Sequence, residues 1–138
     1  MSSTSTPASS YRVFRIQRIG MPRNHHAIFV ETAPVSGQGR DFHVTGSIQQ
    51  GMVYEEKHSD RPEDNPLFVS KAEIGWIANT SWHQHVSEIC RSIPPPAKQF
   101  DGPRRLLPSH QSLRRCMEWV DEAVEALREA GVLVDSEP

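Results

Sequence analysis

The stretch over residues 112–130 limits the possible folds more than any other part of the chain. It reads Ser-Leu-Arg-Arg-Cys-Met-Glu-Trp-Val-Asp-Glu-Ala-Val-Glu-Ala-Leu-Arg-Glu-Ala and halts at Gly131. Leu113, Cys116/Met117, Val120, Ala123/Val124 and Leu127 recur at steps of three and four. That spacing predicts an amphipathic helix with one apolar stripe, which is stable only when another element covers it. Ser109 or Ser112 offers a cap, and Gly131 suits the left-handed position past a helix end. Cys116 falls in the first turns of this helix, on or beside the stripe. The positive end of a helix dipole, with Arg114 and Arg115 nearby, favours a thiolate there.

A sheet is the expected cover. Residues 11–19 are rich in Val, Ile and aromatics, and predict a first strand broken by Gly20-Met21-Pro22. Residues 24–31 predict a second. Alternation puts His25, Ala27 and Phe29 on one side, and His26, Ile28 and Val30 on the other. A third strand is expected over 40–47, with Phe42 and Val44 opposite His43 and Thr45. A fourth is expected over 52–57. Their closeness in sequence favours an antiparallel meander. Residues 58–66 read as a surface loop, and 67–77 as a further strand. Asn79-Thr80-Ser81 signals a helix start, and Trp82, Val86 and Ile89/Cys90 give residues 82–92 helical spacing until Pro94-Pro95-Pro96. The stretch 98–108 is irregular and basic. The fold class is therefore α+β, with an antiparallel sheet of four to five strands against a C-terminal helix and one further helix.

Composition sets the class of protein. At 138 residues the chain suits a single domain over 11–134, between a Ser/Thr-rich disordered tail at 1–10 and a frayed end at 135–138. The net charge of -2 gives no basic field for nucleic acid. Two cysteines, Cys90 and Cys116, make no disulfide framework and fit a reducing, cytoplasmic setting. No apolar run approaches a membrane span, and the first residues lack a secretory pattern.

Three groups of residues carry candidate chemistry. A nucleophilic thiol needs a base and a group to orient that base, and Cys116 with His25, His26 and His43 can supply them. The plain alternative is a Cys that serves as a small buried hydrophobe and strand histidines that merely hydrogen-bond. His83 and His85 form a His-x-His pair, but neighbours two apart diverge on a helix and no third ligand stands at a recognisable spacing. No metal or other cofactor is expected. Arg104-Arg105 with Arg114-Arg115 suggest a clamp for an anionic substrate, against a solvated basic face. Trp119, three residues after Cys116, shares roughly its face and suits either the core or a substrate platform.

The stretch Asn24-His25-His26-Ala27-Ile28-Phe29-Val30-Glu31 resembles the first catalytic strand of circularly permuted NlpC-type papain-like proteins, among them the lecithin retinol acyltransferase family. That strand runs His, one residue, Gly or Ala, then Ile, an aromatic and Val, which puts the base on His25. Asp41-Phe42-His43-Val44 is similar to the next strand, which carries a second histidine. Arg115-Cys116-Met117-Glu118-Trp119-Val120 is similar to the late nucleophile helix, with Arg115 where the lipid-modifying relatives have Asn. The chain ends in Asp135-Ser136-Glu137-Pro138 instead of their membrane-anchoring tail. It also resembles a group of short fungal proteins with an Asn-His strand and a late Cys-x-x-Trp helix.

The resemblance implies Cys116 as nucleophile, His25 as general base and acid, and His43 as the group that orients His25. Arg114, Arg115, Trp119 and His26 would bind substrate. The expectation is a hydrolase or acyl/amide-group transferase working through a thioester on a small molecule or peptide, without membrane anchor or nucleic acid. A secondary-metabolic substrate is an association only. The rival is a binding or interaction module on the same fold. A homodimer through the Trp82 helix is compatible with both. One expectation concerns His43: with a single core behind Phe42 and Val44, its side chain would face solvent. Only a sheet covered on both faces would bury it.

Overall fold

Alternating apolar residues in the first half of the chain build four consecutive antiparallel strands. They are β1 (Ser10–Arg18), β2 (His25–Ala33), β3 (Gln38–Ser47) and β4 (Gly51–Ser59). After a single turn of 3-10 helix at Pro62–Asp64, β5 (Phe68–Ala78) returns to pair with β1, giving the order β4-β3-β2-β1-β5. Helix α1 (Trp82–Ser92) follows, then a two-residue hairpin of β6 (Phe100–Asp101) and β7 (Arg104–Arg105), then helix α2 (Cys116–Glu129). This computed structural model describes residues 9–138. Most of the tail expected over 1–10 lies outside the described residues, and β1 already begins at Ser10.

The architecture is α+β, with a five-stranded antiparallel sheet and the two expected helices. Both faces of the sheet are covered. Val13, Ile28, Val30, Phe42 and Val44 pack against Val86 and Cys90 of α1 and Trp119, Val120, Ala123 and Leu127 of α2. This is the apolar stripe of α2 meeting the apolar side of the strands, and it excludes most of the water-accessible area of those side chains. The opposite face carries a second, smaller cluster of Phe14, Ile16, Ala27 and Phe29. The ammonium of Lys71 lies over the rings of Phe14 and Phe29 there, at 4.3 and 5.9 Å, and pairs with Glu31 at 3.5 Å.

Helix α2 starts later than its periodicity suggests. Neither Ser109 nor Ser112 caps it; the first helical residue is Cys116 and the N-cap is Arg115. The cause lies in a distant side chain. Gln99, nearly buried, accepts the Arg114 N–H at 2.8 Å and donates to the Arg114 carbonyl at 2.7 Å. That pair ties residue 114 down outside the helix, and Arg115 stays extended at φ -123°. Glu118 then accepts the Arg115 N–H at 2.6 Å, satisfying a donor at the helix entrance. At the far end Gly131 adopts φ 73°, as the sequence predicts.

Candidate active site

The β3–β4 hairpin brings two polar residues opposite each other. With Gly51 closing the turn, the antiparallel register places Glu55 across from His43. His43 Nε2 and Glu55 Oε1 are 2.7 Å apart. On its other side His43 Nδ1 lies 2.7 Å from His25 Nε2, with the two rings nearly edge-on. His25 is the first residue of β2, and Glu55, His43 and His25 thus form one hydrogen-bonded chain across three adjacent strands.

The chain has a direction. The pKa of Glu55 is lowered, chiefly by its hydrogen bond with His43, so the carboxylate is an acceptor. His43 therefore donates from Nε2 and, when neutral, accepts at Nδ1. His25 donates to that nitrogen from Nε2, which leaves its own Nδ1 as a bare lone pair. Burial lowers the pKa of His43 against the opposing pull of Glu55. Burial, with His43 and Arg18 beside it, lowers that of His25 to about 4. Both rings are neutral near pH 7, and the tautomer of His25 is the one a general base needs.

His43 is only 2% exposed. It alternates with Phe42 and Val44, as expected, yet it does not face solvent, because the second face of the sheet is covered too. Its neighbour on that face, Asp41, is fully buried, with Arg18 Nη1 3.1 Å from Asp41 Oδ2. Burial raises the pKa of Asp41 and the Arg18 charge opposes the rise.

Cys116 enters from the helix side. It is half-buried at the first position of α2, and its Sγ lies 3.9 Å from the carbonyl oxygen of Asn24, the residue before His25. Among the described residues, no hydrogen bond joins the thiol to a histidine ring. Cys116, His25 and His26 nevertheless line one cleft of about 920 Å³ at the end of the sheet. A second cleft, of about 670 Å³, opens on the other face and also touches His25, together with His43 and Asp41. His25 thus stands between the two. The first-turn N–H groups of α2 at Cys116 and Met117 have no carbonyl partner within the helix.

His26 points to the α2 face, as alternation requires. Arg15 donates to its Nδ1 from Nε at 3.3 Å and lies 3.2 Å from it through Nη2, and Arg15 also pairs with Asp121 of α2. With Nδ1 accepting, Nε2 carries the proton, and burial followed by the Arg15 charge lowers its pKa. His26 thus keeps its proton on Nε2 and accepts at Nδ1, where His25 donates from Nε2 to His43.

Two residues expected to bind substrate do something else. Trp119 is fully buried and donates from Nε1 to the Ile93 carbonyl at 3.0 Å; it belongs to the core because α2 turns this side toward the sheet. Arg114 is held along α2 by Glu122 at 2.7 and 3.1 Å. Arg115 does line the cleft. Sequence reasoning missed Glu55, although equal steps back from the Gly51 turn put it across from His43. The His83-x-His85 pair is split by function: His83 Nε2 lies 2.7 Å from Glu56, a nearly buried carboxylate that also accepts from Tyr54 and Ser87. Among the described residues, no group of three His, Cys, Asp or Glu is placed to hold a metal ion. No helix among them is long and apolar enough to cross a membrane.

Residues 13–134 match the model of DUF6540, described as a family of unknown function. The chain belongs to the DUF6540 family. The match takes in every residue of the His25–His43–Glu55 chain and Cys116, so in this DUF6540 protein the candidate site lies inside the family's own segment. No curated protein and no solved structure matches it.

Proposed function

We propose that this DUF6540 protein is a Cys/His-dependent hydrolase or acyl/amide-group transferase acting on a small molecule or peptide through a thioester. One observation carries the reading: a carboxylate-anchored pair of histidines ends at His25, a residue of the same cleft that Cys116 lines. The resemblance to permuted NlpC-type proteins adds to it, since His25, His43 and Cys116 fall in the permuted order.

In the reaction, Cys116 turns its sulfur from the Asn24 carbonyl toward the cleft and its proton passes to His25 Nδ1. The thiolate attacks a carbonyl carbon, and the N–H groups at the start of α2 receive the oxyanion. His25 returns the proton to the leaving amine or alkoxide, and the C–S bond of the thioester remains. Water or an acceptor amine or alcohol then gives its proton to His25 and attacks the thioester carbonyl, the C–S bond breaks, and His25 returns the proton to the departing Cys116 sulfur. His43, backed by Glu55, holds the base in the required tautomer throughout. We place the protein in the cytoplasm, where two unpaired cysteines stay reduced.

A second reading, a binding module on this fold, is favoured by the thiol's hydrogen bond to Asn24 in place of an imidazole. Alkylation of Cys116 by iodoacetamide across pH separates the two. The catalytic reading expects fast labelling well below pH 8 that slows in His25→Ala. A rate equal to that of the unfolded chain, unaffected by His25→Ala, would leave the binding module as the better account.

A further inference from the structure

The arginines of this chain are unevenly paired. Nine of the twelve have a carboxylate within 4.0 Å: Arg12, Arg15, Arg18, Arg40, Arg61, Arg91, Arg104, Arg114 and Arg128. The three without one among the described residues are Arg23, Arg105 and Arg115, and all three line the cleft that holds Cys116. They come from separate places in the chain: the loop before β2, strand β7 and the N-cap of α2. The acidic residue on that lining, Glu118, already accepts the Arg115 backbone N–H. Elsewhere the molecule neutralises its guanidinium groups; here it gathers three without a counter-charge around the candidate nucleophile.

We propose that the substrate carries a carboxylate or phosphate group, bound by Arg23, Arg105 and Arg115 while the reacting carbonyl lies at Cys116. Guanidinium groups suit this task because they offer paired N–H donors in a plane that matches carboxylate and phosphate oxygens. A cleft with an excess of positive charge also concentrates an anion before contact, with gains that begin at roughly tenfold in rate and fall with salt. The proposal rests on the Cys/His reading and names the substrate class of that same site.

The test compares alkylation of Cys116 by iodoacetate, an anion, with alkylation by neutral iodoacetamide. The ratio of the two rates is referred to the same ratio for N-acetylcysteine. The expected result is a ratio raised roughly tenfold at low ionic strength, falling toward the free-thiol value in high sodium chloride. The Arg23→Gln/Arg105→Gln/Arg115→Gln variant should show the free-thiol ratio at all salt concentrations. Acetate and inorganic phosphate, as protectants at constant ionic strength, distinguish the two anions by which one slows iodoacetate. A wild-type ratio equal to that of N-acetylcysteine at low salt overturns the proposal without any variant, as does protection by neither anion. Failure of the Cys/His reading is separately visible: the iodoacetamide rate alone would then ignore His25→Ala, whatever the ratio.

Discussion

Replacing His43 by leucine tests the relay most directly. The side chain is 2% exposed and hydrogen-bonded at 2.7 Å on both sides. Leucine removes both bonds without opening a large cavity. Glu55 is half-exposed and regains water, so that bond costs only about 1 kcal/mol. His25 is left with an N–H aimed at an apolar group, a loss of roughly 1–3 kcal/mol. Added apolar burial offsets part of this, leaving a net loss of about 2 kcal/mol. For a domain of this size that lowers the melting temperature by roughly 6–10 °C. The decisive readout is chemical. Without His43 the two tautomers of His25 become comparable and the ring is free to turn. Alkylation of Cys116 at pH 6 should then fall by at least about tenfold, close to the His25→Ala rate. His43→Gln, which still offers an acceptor to His25, should recover part of it. A His43→Leu protein that is less stable but labels at the wild-type rate would refute the reasoning, because His43 would then be a packing residue and no positioning group.

Other outcomes follow from the same geometry. His25 has a pKa shifted from 6.5 down to about 4, so between those values the unfolded chain binds a proton that the folded one does not. Its contribution is full above pH 6.5 and is lost as pH falls through about 4; allowing for its partial exposure, it amounts to about 2 kcal/mol, measured by urea unfolding of wild type against His25→Asn at pH 7 and pH 4. Arg18→Met strands the fully buried Asp41 carboxylate and should cost about 3–5 kcal/mol at pH 7, with Asp41→Asn restoring most of it in the double variant. Gly131→Ala forces a Cβ into φ 73° with no clashing neighbour, so urea unfolding should show a loss of only about 1 kcal/mol.

Elements whose side chains repeat were legible in the sequence. Helix α1 spans residues 82–92 as its spacing and the three prolines predict, and the meander follows from short turns between alternating strands. The stripe of α2 was visible too. Its start was not, because Gln99 sets it through hydrogen bonds to residue 114, a contact with no local signal. The second face of the sheet was harder still. Alternation put His43 and Asp41 opposite the apolar residues, which reads as exposure unless a cover is known, and here the cover is a polar cluster that includes Arg18 and His25. Alternation did separate His25 from His26, and with it the His43 partner from the Arg15 partner. Charge runs told least. Of Arg114 and Arg115, adjacent in sequence, one is tied to Glu122 and the other opens on the cleft, and only the fold could sort them.

The two cysteines report on different events. Cys90 is fully buried on the core side of α1, where burial and the nearby Glu56 push its thiol up to about 12. Cys116 meets the cleft while the protein is intact. A single electrophile therefore reads two clocks in one sample: mass added at Cys116 times access to the native molecule, and mass added at Cys90 times its opening.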